Sequence, residues 1–361
     1  MAKKEPKYFS ISQIKSFRGC RQEWFYKYKE RLEPRKPQRP LYMGTTLHKL
    51  LELRANGEDW QAYLFKEVAE KFEALPTDYK MELGEDFIDC CNKIMSQYDW
   101  AYGKKDENIK YLATEVKIDC KIKGYKRFTG IVDAICEIDG EQYIMEHKTF
   151  KTKKMSLDQT WINVQTCAYI KVLNSQGWNI KGVIWDMVKT SAPEPPKVLK
   201  NGQFGKQSAK QTLLSFQWYA PGAEVPEAIY EEIKDNHKEY LDRYITPVLP
   251  DVVEKVWAEF VQSVDDIERN KSCPKSLGRD CDWCSFKELC QTELTGGDVE
   301  YIKQLYYTTE EQRDKSCFEK FRQTESCRQC QKVILDCSMV PDFEQCRLYC
   351  TEYKKYKEEN K

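Results

Sequence analysis

Residues 130–154 read GIVDAICEIDGEQYIMEHKTFKTKK, and the fold turns on how this stretch is taken. Two apolar runs flank Asp139-Gly140, a dipeptide favoured in two-residue hairpin turns because both central positions need φ > 0. The stretch therefore predicts two paired antiparallel strands. Side chains alternate along a strand, which sends Glu146 and Lys148 to one face and Met145 and His147 to the other. Asp133 lies in the first strand, with Ile131 and Ile135 on its own face and Val132 and Ala134 on the opposite one. Three ionisable groups on a buried hairpin are costly unless they pair with one another or hold a metal. Two carboxylates and an amine brought together make a hard-cation site with a cationic neighbour, chemistry suited to phosphodiester hydrolysis. A surface hairpin with a solvated Glu146–Lys148 pair is the plainer alternative.

Three other segments bear on that choice. Gly44-Thr-Thr-Leu-His48 opens an apolar-periodic helix in which Leu47, Leu50, Leu51 and Leu53 surround His48, so a core histidine and a metal neighbour are both open readings. Gln165-Thr-Cys-Ala-Tyr169, with Trp161, places three side chains four residues apart on one helix face, a pattern common at helix–helix contacts. Cys281-x2-Cys284-x5-Cys290 is a compact thiolate set. Joined by Cys273 it suits a tetrahedral zinc; joined by the distant Cys20 it suits a [4Fe–4S] cluster.

Taken with these segments, Asp133 followed by Glu146-His147-Lys148 resembles the D…(D/E)xK core of the PD-(D/E)XK nuclease superfamily, in its RecB-like branch. The segments follow the order of that branch from residue 8 to residue 292. The resemblance implies an α/β fold with a restriction-endonuclease-like core, a central mixed sheet flanked by helices, a helical N-terminal part and an iron–sulfur clasp. It implies Mg²⁺ or Mn²⁺ held by Asp133, Glu146 and the backbone carbonyl of His147, with His48 as a further ligand. Lys148 then orients or deprotonates the attacking water, and Gln165 and Tyr169 position the substrate strand. Glu115 matches an acidic position of many relatives and has at most an auxiliary role. Cas4-like exonucleases and the AddB nuclease domain pair one upstream cysteine with a downstream triplet. That arrangement implies a [4Fe–4S] cluster on Cys20, Cys281, Cys284 and Cys290, with zinc the less favoured occupant.

Composition bounds the rest. Lys+Arg and Asp+Glu are both 58, so net charge points to no nucleic-acid partner and any such surface must come from charge segregation. With 32% charged and 41% hydrophobic residues among 361, the chain is long enough for one large or two ordinary domains. No run of eighteen apolar residues is present and the opening MAKKEPKYFS has no apolar core, which predicts a cytoplasmic protein with no membrane span or secretory signal. In a reducing compartment 16 cysteines point to metal ligands before disulfides.

In chain order, Ser10-Ile-Ser-Gln13 predicts a capping box and a helix to about Tyr28. Residues 58–103 predict continuous helix, with Cys90 and Cys91 in packing roles. Strands are predicted at 111–122 and 182–190, a loop at 191–210, and helices at 226–244 and 252–270. Asp158 is the expected cap of the Gln165 helix. Lys151, Lys153 and Lys154 are expected to contact phosphates at the rim of the site. Residues 1–298 are expected to form the nuclease domain and 299–361 a cysteine-rich helical tail. In that tail Cys327, Cys330, Cys346 and Cys350 approach a zinc spacing and suggest a second metal site.

These readings predict a metal-dependent deoxyribonuclease, acting as an exonuclease on single-stranded or duplex ends in DNA repair, recombination or phage- or CRISPR-type processing, served by a helicase or recombination partner. The rivals are a non-catalytic iron–sulfur DNA-binding protein keeping the fold, and a zinc-stabilised RNA-processing factor.

Overall fold

The computed structural model describes residues 7–36, 38–103, 105–152, 160, 163–313 and 355–357, with main chain only at 105 and 107. The expectations for Lys153, Lys154, Asp158, Trp161 and the tail cysteines Cys327, Cys330, Cys346 and Cys350 lie outside the described residues. The chain divides into two compact units, residues 1–18 with 37–271 and residues 19–36 with 272–361.

The larger unit is built on a six-stranded mixed sheet. Its strands are β1 (Lys7–Phe9), β2 (Lys110–Lys123), β3 (Lys126–Ile138), β4 (Glu141–Phe150), β5 (Ile180–Lys189) and β6 (Leu241–Pro247). The order is β1-β3-β4-β5-β6, with β2 paired to β3. β1 runs parallel to β3 and β4 parallel to β5, while the β2–β3, β3–β4 and β5–β6 pairs are antiparallel. The parallel β4–β5 pair needs a crossover, supplied by helix α4 (Val164–Ser175). Helix α5 (Pro250–Arg269) packs on α4. Helices α2 (Arg39–Ala55) and α3 (Phe87–Tyr102) share a core in which Met43, Leu47, Leu50, Phe87, Ile94 and Tyr98 are buried.

The hairpin forms where Asp139-Gly140 places it: φ is 52° at Asp139 and 81° at Gly140, both in the left-handed region a mirror-image turn demands. Its ladder runs from Ile138↔Glu141 only as far as Ala134↔Met145. β1 pairs with the same edge of β3 at 126–128, so residues 129–133 lie between two partners.

Several local expectations are corrected. The helix expected to run from residue 10 to about 28 ends at Gly19, because Cys20 is extended (φ −148°, ψ 115°); a short helix and a π-helical turn over Phe25–Lys29 follow. Ser10 does cap the first segment, accepting from the Gln13 amide at 3.3 Å. The 58–103 stretch is broken around Pro76 and at Gly84. Residues 241–244, expected as helix, belong to β6, because tertiary pairing with β5 overrides their local preference. The cap of α4 is Asn163, whose side chain accepts from the Gln165 and Thr166 amides.

The smaller unit packs Tyr26, Leu32, Phe286, Leu289 and Tyr307 into a core of its own, closed by a two-stranded pairing of Glu33–Pro34 with Tyr307–Thr308. Among the described residues, no helix is long and apolar enough to cross a membrane.

Candidate active site

The site forms where the β3–β4 ladder ends. Just past the last pair, Asp133 Oδ2 accepts a hydrogen bond from the His147 backbone N–H at 2.8 Å instead of continuing the regular register. Glu146 is wholly buried. Its Oε2 accepts from Lys148 Nζ at 2.7 Å and from Gln165 Nε2 at 3.0 Å. Gln165 also donates toward Tyr169 Oη at 3.4 Å, so the glutamine–tyrosine face of α4 is turned to Glu146 on β4. From α2, His48 brings Nδ1 to 3.5 Å from Asp133 Oδ1. α2 comes close to the end of β4 at Gly44, where a Cβ would already touch Thr149 Oγ1 at 3.4 Å. His48, Asp133, Glu146, Lys148, Gln165 and Tyr169 are thus brought together. Lys151 is described only as an exposed residue beyond β4.

The expected alternation holds for Glu146 and Lys148, which pair, and for Met145, which packs with Ala134, Cys136 and Ile184. His147 is more involved than its face suggests. Its ring is 5.9 Å from the His48 ring, nearly perpendicular to it, and its Nδ1 lies 2.7 Å from Asp186 Oδ2 on β5.

The electrostatics divide the two carboxylates. Burial pushes Glu146 up, and the charge of Lys148 only partly counters it. Asp133 meets the same burial, but the hydrogen bond and charge of His48, with His147 and Lys148 behind them, hold it below the usual carboxylate range. Burial opposes the charge on His48, and the Asp133 contact outweighs it, raising its pKa. Lys148 likewise overcomes burial through Glu146 and Asp133 and is raised.

Two residues not placed in the first rank by sequence stand close by. Glu115 adopts φ 47°, unusual for a residue with a side chain, at the position of β2 flanked by the pairs Thr114↔Ala134 and Val116↔Val132, which sets it across from Asp133. Burial and then the Asp133 charge raise its pKa. Lys15 on helix α1 (Ile11–Gly19) has its pKa lowered, first by desolvation and then by repulsion from Lys148. Nothing in its sequence context marked it.

Among the described residues, no three His, Cys, Asp or Glu side chains are drawn together tightly enough to hold an ion as they stand. Yet the donor set fits one. Glu146 Oε1 is buried with no hydrogen-bond partner among the described residues, which is costly for a carboxylate oxygen. A divalent cation beside Asp133 and His48 would relieve it.

In the smaller unit, Cys20, Cys281, Cys284 and Cys290 all line one cavity of about 390 Å³, and Cys273 is not among its lining residues. The Ser276 amide donates to Cys20 Sγ at 3.5 Å and the Phe286 amide to Cys284 Sγ at 3.4 Å. Burial pushes the Cys284 thiol up to about 11, and it raises Cys290 as well. Four thiols lining one cavity are a donor set of the kind thiophilic metals take, although burial alone disfavours their thiolate forms.

A family model described as the PD-(D/E)XK nuclease superfamily matches residues 8–291. Among solved structures, one described as "Crystal structure of SSO0001" shares 14% identity, with 80% of this chain and 87% of that chain covered and a TM-score of 0.35. A structure from Eubacterium rectale described as "Putative exonuclease" shares 12% identity, with 81% and 94% covered and a TM-score of 0.40. Likeness at that level carries no weight for the site. No curated protein matches the chain.

Proposed function

The chain belongs to the PD-(D/E)XK nuclease superfamily, and on that premise we propose that it is a divalent-metal-dependent deoxyribonuclease of the RecB-like, Cas4-like branch, working from DNA ends in the cytoplasm. The observation that carries this reading is the buried Glu146, one oxygen tied to Lys148 and the other without a partner among the described residues, next to Asp133 and His48. A retired site would have no reason to keep a buried, half-satisfied carboxylate, which argues against the non-catalytic rival.

Asp133, Glu146, the His147 carbonyl and His48 are the residues that would hold Mg²⁺ or Mn²⁺, with the imidazole favouring Mn²⁺. Such an ion would supply Lewis acidity to the attacking water and the scissile phosphate. Lys148, already anchored on Glu146 and held protonated by Glu146 and Asp133, orients the attacking water and steadies the charge that develops on phosphorus-bound oxygens. Gln165 holds Glu146 in place while Tyr169, against the backbone of Gly130, borders the path of the strand. Lys15 and Lys151 add positive charge for the phosphodiester backbone.

We assign Cys20, Cys281, Cys284 and Cys290 to a structural [4Fe–4S] cluster, which the shared cavity and the two amide-to-sulfur hydrogen bonds support. A nuclease domain ending near residue 298 completes the proposal.

The test is cleavage of end-labelled single- and double-stranded DNA with Mn²⁺. Wild type should cut from the ends and stop on addition of a chelator. Lys148→Ala should fold, bind DNA and leave it whole. Cleavage by that variant at the wild-type rate would remove the mechanism.

A further inference from the structure

Behind the site runs a largely buried chain of alternating acids and bases. His147 Nδ1 meets Asp186 Oδ2 at 2.7 Å, and Asp186 is fully buried on β5. Asp186 also accepts from Tyr98 Oη at 2.7 Å and from Arg243 Nε, on β6, at 2.8 Å. Arg243 continues to Asp106 through its other guanidinium edge. Asp106 accepts from Arg54 Nη1 at 2.6 Å, and Arg54 turns its Nε to Asp99. Arg54 stands on α2, the helix that carries His48. The side chains of Arg54, Asp106, Arg243 and Asp186 are 14%, 8%, 11% and 0% exposed.

We propose that this strap, from His147 through Asp186, Arg243 and Asp106 to Arg54, is a positioning device that sets β4 and α2 at the separation the metal ligands require. The inference rests on the reading of the site as a divalent-ion site. A buried ion chain is a poor way to gain stability, since desolvation consumes most of the attraction and packed apolar side chains serve as well. What it does provide is direction: a planar guanidinium donates along fixed directions, here to two carboxylates at once for each arginine. The chain connects the two elements the site must keep apart by a fixed amount. At one end, Asp186 fixes the His147 ring, and the His147 peptide holds Asp133 by its N–H, leaving its carbonyl as the group that would face an ion. At the other end, Arg54 fixes the rotation of the helix that presents His48. Because the partner of Nδ1 is a carboxylate, Nδ1 is the ring nitrogen placed to donate. Asp186 is therefore a positioning residue, acting on the site only through His147.

Asp186→Asn and Arg54→Lys test the strap in the full-length protein. Mn²⁺ affinity is measured by titration, DNA binding separately, and folding by near-UV circular dichroism. The imidazole ¹⁵N shifts of the metal-free protein report the His147 tautomer, a tractable assignment with three histidines in the chain. We expect the wild type to show the Nδ1–H form of His147. In folded Asp186→Asn, Mn²⁺ affinity should drop about 10- to 100-fold, as for loss of a carboxylate that orients a metal-site histidine, with DNA affinity unchanged. Arg54→Lys keeps the charge, loses the fork and should weaken Mn²⁺ in the same direction. If Asp186→Asn does not fold, Arg54→Lys decides alone. Wild-type Mn²⁺ affinity in either folded variant, or an Nε2–H tautomer at His147, overturns the strap and leaves the nuclease reading standing. A wild type that binds no Mn²⁺ overturns both.

Discussion

Glu146 and Asp133 are both buried carboxylates, set apart by their partners. Burial dominates the first and raises it; contact with His48 rescues the second and lowers it. That division is what a site needs if one carboxylate is to wait, unsatisfied, for a cation while the other stays ionised to hold the histidine. Gly130 shows how tightly the neighbouring positions are set. A Cβ there would stand 2.7 Å from Tyr169 Cε1, too close for contact, so Gly130→Ala must push the ring away. We expect that substitution to leave folding intact and to lower kcat by roughly 10- to 100-fold, the scale of an ångström-sized misplacement in an active site. Single-turnover cleavage compared with a thermal melt checks it; an unchanged rate would show that Tyr169 does not border the reacting strand. The ligand candidates were legible because their residue types are expensive in a strand and cheap only around an ion. Asp186 was not legible. A lone acid inside GVIWDMVK has no local partner, and the arginine that neutralises it comes 57 residues later.

At the scale of elements, the hairpin could be read because Asp139-Gly140 leaves the backbone few choices. The edge strand β6 could not, because what makes Leu241–Pro247 a strand is the ladder offered by β5, a non-local cause. The strap joining β4, β5, β6 and α2 has a consequence for acid stability. Burial opposes ionisation of Asp186, but Arg243 and then His147 hold its pKa well below the ordinary range. A carboxylate depressed in the folded state contributes stability that is fully present above its unfolded value, about 3.9. That contribution is lost as pH falls toward the folded value. Urea midpoints measured from pH 5 down to pH 2.5 should therefore fall more steeply for wild type than for Asp186→Asn, by up to one proton's worth of slope. Parallel curves would mean that Asp186 is not the ionised centre of the network.

On the scale of the whole chain, the two units divide the chemistry: ionisable groups for phosphodiester cleavage in one, four thiols around a cavity in the other. Cys20 lies next to Ser276, 256 positions away, so a metal group on these thiols would close a very long loop and remove much unfolded-chain entropy. Cys20→Ser should yield protein without the broad visible absorption of thiolate-bound iron, with residues 272–294 newly open to limited proteolysis. Full iron content in that variant would move the fourth ligand elsewhere. The cysteine spacing alone left zinc and iron open, since both accept such triplets; the break in the helix at Cys20, which turns that residue toward the cavity, is a tertiary fact that no helical periodicity records.

All of this converges on one cation. A crystal grown anaerobically and soaked in Mn²⁺, with diffraction collected at the manganese absorption edge, measures it directly. The account predicts an anomalous peak about 2 Å from the Glu146 carboxylate, on its unpartnered oxygen, shared with Asp133 and His48. Manganese bound elsewhere on the chain, with no peak among those three residues, would contradict it.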